Sequence, residues 1–319
     1  MIQNQSPSTL TAPPPPAVQK KFGLTGVHRR QIRTFLLALV FLTPSLIIFA
    51  AFVFIPLVRT FWLSSYLTDP IGRPAAFVGM LQYKKLFNTT VFINSLSRST
   101  LFVFYTVPTS ILVALGLAVL ANLRLRSIQF FRIVFSITIA VSGATASLMF
   151  LYLYHPSLGF LNYILSWFRI PEIPWLIDAK TALPAVAITC VWLQIGLNTV
   201  ILLAAMQGIP EELYESAMID GAGGFQRFRS ITLPFLSSTF FFLLVVDTLA
   251  AFQTFTPIQI MTTGGPLDST NLLVYSIYRE FYFNGNYGFA AAQSIMLFFI
   301  MLILTIVQFV WIERRVFYE

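Results

Sequence analysis

The sequence predicts an all-α, polytopic membrane protein with about six transmembrane helices, on three observations. The 319 residues are 57% hydrophobic and only 10% charged, with a mean hydropathy of +0.78. A soluble domain carries roughly 25% charged residues to keep its surface wet, so lipid must solvate much of this chain. Six apolar stretches follow one another, each close to the ~20 residues that a helix needs to cross ~30 Å of hydrocarbon. They read Phe35–Val58, Thr100–Ala121, Phe130–Tyr152, Ala182–Met206, Phe235–Pro257 and Gly288–Trp311. Finally, the basic residues sit in short clusters between these runs instead of covering one face of a folded domain.

Ahead of the first span, Met1 to about Lys21 is polar, carries Pro13 to Pro16 in a row and has no apolar period. Such a segment cannot bury enough surface to fold, and residues 1–34 are expected to form a disordered Pro-rich tail. The first apolar run begins far from Met1 and no small-x-small site follows it, so it reads as a retained span and not a signal peptide. Pro44, Pro56, Pro108 and Pro184 fall within spans, where neighbours or water can satisfy the freed carbonyls. Cys190 is the single cysteine and lies inside the fourth run, so no intramolecular disulfide can form. With only His28 and His155 beside it, a dedicated zinc site cannot be assembled.

An even number of spans puts both termini on one side. With the N-terminus inside, the inner segments hold Lys20, Lys21, Arg29, Arg30, Arg33, Arg124, Arg126, Arg132, Arg227, Arg229, Arg314 and Arg315, twelve of the twenty Lys and Arg. The longer outer loops hold Arg59, Arg73, Lys84, Lys85, Arg98, Arg169, Lys180 and Arg279. The positive-inside rule then places both termini in the cytoplasm, and the net charge of +8 is an orientation signal with no nucleic acid implied.

The inner connection between the fourth and fifth spans, residues 207–234, is the most informative segment. Pro210 suits a first helical position, and Glu211, Glu212 and Glu215 put negative charge near the positive end of the helix dipole. Leu213, Ala217 and Met218 fall at helical spacing and give one apolar face. Asp220-Gly221 breaks that helix and Gly223-Gly224 adds a second flexible point. A second short helix carrying Arg227 and Arg229 then runs to Leu233-Pro234. Two short amphipathic helices at an angle, outside the bilayer, suit docking on a partner.

Here the sequence resembles the permeases of bacterial binding-protein-dependent ATP-binding-cassette (ABC) importers. Their loop motif reads Glu-Ala-Ala, three residues, Gly, nine residues, Ile-x-Leu-Pro. This chain has Glu215-Ser216-Ala217, three residues, Gly221, nine residues, then Ile231-Thr232-Leu233-Pro234, departing only at Ser216. Phe77-Val78-Gly79, Tyr83, Phe130-Phe131-Arg132, Gly159 to Asn162, Trp175-Leu176, Trp192, Thr263-Gly264-Gly265-Pro266 and Thr270 extend the likeness to the sugar and glycerol-phosphate, maltose-type branch. One departure is Ser136-Ile137-Thr138, where many relatives have a proline early in the third span. The resemblance implies the type I importer permease fold in a bacterial inner membrane. It further implies that Glu215, Ser216, Ala217, Asp220 and Gly221 belong to a coupling helix seated on an ATPase subunit. Two such ATPases, a second homologous permease and an extracytoplasmic solute-binding protein are the implied partners. The chain has no Gly-x4-Gly-Lys-Ser/Thr phosphate loop, so it is not expected to be an enzyme, and ATP and magnesium belong on the partners.

Polar groups inside spans are costly and are site candidates. Asp247 is the one acid well inside a span; it is expected to face a wet cavity or a donor, with Thr254 on the same side of the fifth span and Gln253 nearby. Trp192 and Asn198 in the fourth span and Gln293 in the sixth complete the candidates. In the resembling permeases, sugar binds between these helices through aromatic, amide and hydroxyl groups. Helix–helix hydrogen bonding unrelated to substrate is the alternative for each. No Lys or Arg lies at a span centre, which favours a neutral sugar or polyol over glycerol phosphate, because a phosphate ester wants fixed positive charge. An ion-coupled secondary transporter is the rival reading, but a single intramembrane acid and no evident repeat argue against it. A membrane-embedded enzyme would need paired acidic motifs for magnesium, or a nucleophile with its base, and neither is present.

Overall fold

The computed structural model describes residues 24–123 and 128–311. Pro13 to Pro16, Lys20, Lys21, Arg124, Arg126, Arg314 and Arg315 lie outside them. The chain divides into two compact units, residues 1–57 and 58–319. In the first, helix α1 (Leu24–Phe49) leads into a π-helical turn at Ala50–Phe54. Helix α2 (Ile55–Leu63) continues it, and Thr34–Leu63 is a 30-residue apolar span. Residues 24–34, expected from the sequence to belong to the tail, are therefore helical: beyond Gly26 the segment carries Arg29, Arg30, Gln31 and Arg33, residue types that lose little rotamer freedom in a helix.

The second unit opens with an antiparallel hairpin, β1 (Tyr66–Thr68) and β2 (Pro74–Phe77), and helix α3 (Leu81–Asn88). Helix α4 (Thr90–Asn122) starts well before the apolar run at Thr100, because Thr89 is extended and marks the real helix start. The third span is broken. Helix α5 (Ile128–Ser136) gives way to a 3₁₀ turn at Ile137–Ala140, and helix α6 (Gly143–Leu153) departs at 108°. No proline causes this. Ile137, Thr138, Ile139 and Val141 are β-branched and weaken the helix, and Ser142 restarts it by accepting a hydrogen bond from the Thr145 amide at 3.2 Å. The break seats on Gly196, where an added Cβ would collide with Thr138 Oγ1 and lie 2.8 Å from the Phe135 carbonyl.

Helices α7 (Phe160–Trp167) and α8 (Ala182–Gln207) follow, then α9 (Glu211–Ile219) and α10 (Gly224–Arg227). A π-helical turn at Phe228–Thr232 passes through α11 (Leu233–Phe235) into α12 (Ser237–Phe252). Leu236 bridges the last two, its amide bonding Thr232 O and its carbonyl accepting from the Phe240 amide. Helix α13 (Thr256–Met261) ends the fifth span, α14 (Leu273–Tyr282) precedes the sixth, and α15 (Tyr287–Trp311) forms it.

Helices α4 and α8 form the spine. Ser110, Ala114 and Ala118, each four residues apart and all buried, let α8 approach closely, as small residues do in lipid. The two run parallel: Phe102 and Val107 share a cluster with Leu183 to Cys190, whereas Ala114 and Ala118 pack with Leu202 and Met206. Tyr154, just past α6, donates its hydroxyl to the Ala185 carbonyl at 2.9 Å, at the start of α8. The segment 128–153 thus returns from the end of α4 to the start of α8 and crosses the apolar layer despite its bend. With the bent pair taken as one span, the described residues hold six candidate crossings. One side carries the hairpin, α7 and α14, and the other carries α9.

Candidate functional site

Helix α9 begins one residue later than its sequence suggests: Pro210 (φ −56°, ψ 130°) is the flanking residue, and Glu211 and Glu212 occupy the first turn. Its end explains the spacing of the motif. The Ala222 amide bonds the Ala217 carbonyl at 2.9 Å and the Gly221 amide bonds the Met218 carbonyl at 3.1 Å, with Gly221 at φ +80°. This is a Schellman closure, in which the residue four positions after the accepting Ala217 must turn left-handed. Only glycine does so without a Cβ penalty. Asp220 is the C-cap, Glu215 is exposed, and Ser216 donates to the Leu213 carbonyl at 3.2 Å. Tyr214 Oη and Thr232 Oγ1, 2.9 Å apart, tie α9 to the foot of the fifth span. Ile219, 87% exposed, and Phe225, 77% exposed, then project from the elbow between α9 and α10.

Inside the bundle, Asp247 and Asn198 are brought together. Asp247 Oδ2 accepts from Asn198 Nδ2 at 2.7 Å and from Ser110 Oγ at 3.0 Å, joining α12, α8 and α4. Asp247 is 4% exposed and Asn198 2%, so the intramembrane carboxylate faces two donors. The fifth span does not continue as one helix through Gln253 and Thr254. It breaks between Phe252 and Thr256, and the exposed Gln253 sits at the gap with Nε2 3.8 Å from Met301 Sδ. Thr254 donates to the Ala250 carbonyl at 3.2 Å. Phe255 inside the gap meets Tyr278 edge-on at 4.9 Å, and Tyr278 stacks on Tyr282 at 5.3 Å. Trp192 packs edge-on to Phe150 at 5.5 Å and borders the same apolar cluster as Phe255 and Tyr278. Gln293 stands apart: it is 1% exposed, and neither amide atom has a partner among the described residues.

Residues 70–318 match the family described as "Binding-protein-dependent transport system inner membrane component". The chain belongs to this family. Among similar proteins is the sn-glycerol-3-phosphate transport system permease protein UgpA of Pectobacterium atrosepticum, 35% identical over 297 residues, covering 91% of this chain and 99% of that one. The protein of the same name from Agrobacterium fabrum is 37% identical over 278 residues, covering 86% and 94%. A bacterial ABC transporter that imports the acidic polysaccharide alginate has the same fold, with a TM-score of 0.76 over 89% of this chain and 98% of that one at 22% identity. This chain is a multi-pass inner-membrane permease subunit of an ABC importer.

Permease features that sequence reasoning had only quoted as likenesses acquire physical roles. Asn162 accepts from Trp175 Nε1 at 2.9 Å and the Ile173 amide at 3.3 Å, and donates to the Pro156 and Ile173 carbonyls at 2.9 and 3.1 Å. In the loop after the fifth span, Thr270 Oγ1 lies 2.7 Å from both Thr262 Oγ1 and the Gly265 carbonyl. That loop holds Thr263, Leu267 and Asp268 at positive φ, and Leu267 is 93% exposed at its tip. Non-glycine residues in this conformation persist only where the surroundings hold them, and they concentrate at functional surfaces. Two features were missed: Ser110 as a partner of Asp247, because a serine on an apolar helix carries no pattern of its own, and the gap at Gln253, whose signal is Pro257 in the first turn of α13, which has no N–H to bond the Gln253 carbonyl and reads in the sequence only as the end of the span.

Proposed function

We propose that this permease lines the import path for a polyhydroxylated solute, a sugar or related polyol, delivered by an extracytoplasmic binding protein. One observation carries the reading: the fifth span is interrupted at Gln253–Phe255, where an exposed amide and a hydroxyl stand beside aromatic rings. Interrupted membrane helices free backbone groups at a cavity, and an aromatic ring stacks on the apolar face of a sugar while amides take its hydroxyls. Gln253 and Thr254 are the polar contacts, Trp192 with Phe255 and Tyr278 the apolar ones. Gln293 offers an amide that solute or water would satisfy. Asp247 and Asn198 hold three helices around the path.

Separate ATPase subunits, which bind ATP and magnesium, dock on the elbow formed by Glu215, Ser216, Ala217, Asp220 and Gly221, with Ile219 and Phe225 as apolar contacts. A second homologous permease supplies the other half of the path, and both termini lie in the cytoplasm with α9, following the basic clusters. The names of the relatives favour a second reading, glycerol 3-phosphate as solute. Uptake by vesicles carrying the assembled importer separates the two: labelled sugar uptake unaffected by excess glycerol 3-phosphate supports the first, and uptake of glycerol 3-phosphate alone supports the second. Gln253→Ala and Tyr278→Ala are expected to lower uptake of the preferred solute while the complex still assembles. Full uptake by both variants would remove the proposed site.

A further inference from the structure

We propose that α7 is a membrane-surface anchor whose row of aromatic rings lies in the lipid headgroup layer on the side of the hairpin. The helix has eight residues, Phe160–Trp167, and none is charged. At 1.5 Å per residue it is about 12 Å long, far too short to cross the bilayer. One face is fixed to the protein: three hydrogen bonds of Asn162 tie it to Ile173 and Trp175 in the following loop and a fourth to the Pro156 carbonyl ahead of the helix, and Leu161 packs on the main apolar cluster. The opposite face is bare. Phe160, Tyr163 and Trp167 share one stripe at helical spacing, each more than half exposed, with successive ring centroids 6.5 and 5.4 Å apart.

The depth of this face is set by close packing. Gly159 has no room for a side chain: an added Cβ would strike the His155 carbonyl and sit 2.5 Å from the Leu153 carbonyl. Helix α7 therefore starts against the end of α6, the level at which the third span leaves the apolar layer. The bond from Tyr154 to the first turn of α8 fixes the fourth span at the same level. Charged residues begin immediately after the helix, with Arg169, Glu172, Asp178 and Lys180.

Lipid fits this surface better than a soluble protein does. The stripe offers a partner no charge to complement, and Tyr and Trp favour the membrane interface because an apolar ring carries a polar handle. The stripe also continues an exposed apolar one on the third span: Leu148, Met149 and Tyr152 are exposed on one side of α6 at spacings of three and four residues, and Tyr152, 75% exposed, ends it beside α7. An amphipathic helix lying in the interfacial plane buries such a face among headgroups and upper acyl chains.

Tryptophan emission of the importer in lipid nanodiscs tests the assignment. The contribution of Trp167, taken as wild type minus Trp167→Phe, should be strongly quenched by lipid brominated near the carbonyl end of its acyl chains and spared by aqueous iodide, with or without binding protein. Quenching by iodide and not by brominated lipid overturns it. Protection from iodide that appears only on adding binding protein also overturns it and assigns the surface to that protein. As an independent readout, a spin label at Tyr163→Cys in a Cys190→Ala background should be more accessible to oxygen than to an aqueous nickel reagent, the reverse of a label at Glu172→Cys. Equal behaviour of the two labels rejects the anchor.

Discussion

Replacing Gly221 tests why the motif contains glycine. Gly221 closes α9 at φ +80°, and nothing lies within 4 Å of an added Cβ, so steric crowding inside the chain is not the obstacle. The whole cost of Gly221→Ala is backbone conformation, about 1–2 kcal/mol for a non-glycine residue in the left-handed region. Since RT at room temperature makes 1.4 kcal/mol a factor of ten, the closed form of the α9 end should fall by about 5- to 30-fold relative to frayed forms. Asn visits this region more readily than Ala, so Gly221→Asn should recover part of the loss. The assay is binding-protein-stimulated ATP hydrolysis alongside solute uptake in reconstituted vesicles, with complex assembly checked by co-purification. Wild type above Asn above Ala is the expected order. Should Asn fall at or below Ala, the glycine is required for bulk against the partner and not for its left-handed turn, and the reasoning from the Schellman closure fails.

Three further substitutions probe the bundle. Gly196→Ala forces a Cβ against Thr138 Oγ1 and the Phe135 carbonyl, and overpacking of this kind costs about 1–3 kcal/mol, read as a lower unfolding temperature of the purified complex. Asp247→Ala orphans the buried Asn198 donor at about 1–3 kcal/mol, while Ser110 keeps the Val107 carbonyl as acceptor at 3.0 Å; Asp247→Asn keeps an acceptor and should be milder in the same measurement. Asn162→Ala leaves Trp175 Nε1 and the Ile173 amide without their acceptor, so protease nicking within residues 155–181 should accelerate while nicking at the α9 loop is unchanged.

The spans were legible because lipid imposes one rule on every crossing helix, and apolar length alone finds it. The fourth and sixth spans start within one residue of their expected positions, Ala182 and Gly288, since both ends coincide with a change from polar to apolar chain. The elbow at Asp220-Gly221 was legible because its chemistry is local: a glycine and its neighbours decide it. The third span shows what was not. Its bend needs Gly196, some sixty residues away, to make room for the turn at Thr138, and no local pattern at Ser136-Ile137-Thr138 reports that space. Asp247 illustrates the same limit. Sequence marked it as costly and in need of a donor, but only packing chose Asn198 and Ser110 as the donors over water or solute.

The helical backbone from Gly224 to Phe252 is interrupted only by the single turn residue Leu236. Through the π turn, Leu236 and α12 it runs 29 residues without a coil segment, a path of about 43 Å at 1.5 Å per residue. Above Leu236 the 16 residues of α12 form one continuous helix, so a tilt that reaches its foot is carried to its head. Its head is the gap at Gln253. Under the proposed function, the break that ends α12 and the polar groups that hold the cargo fall on one residue triplet.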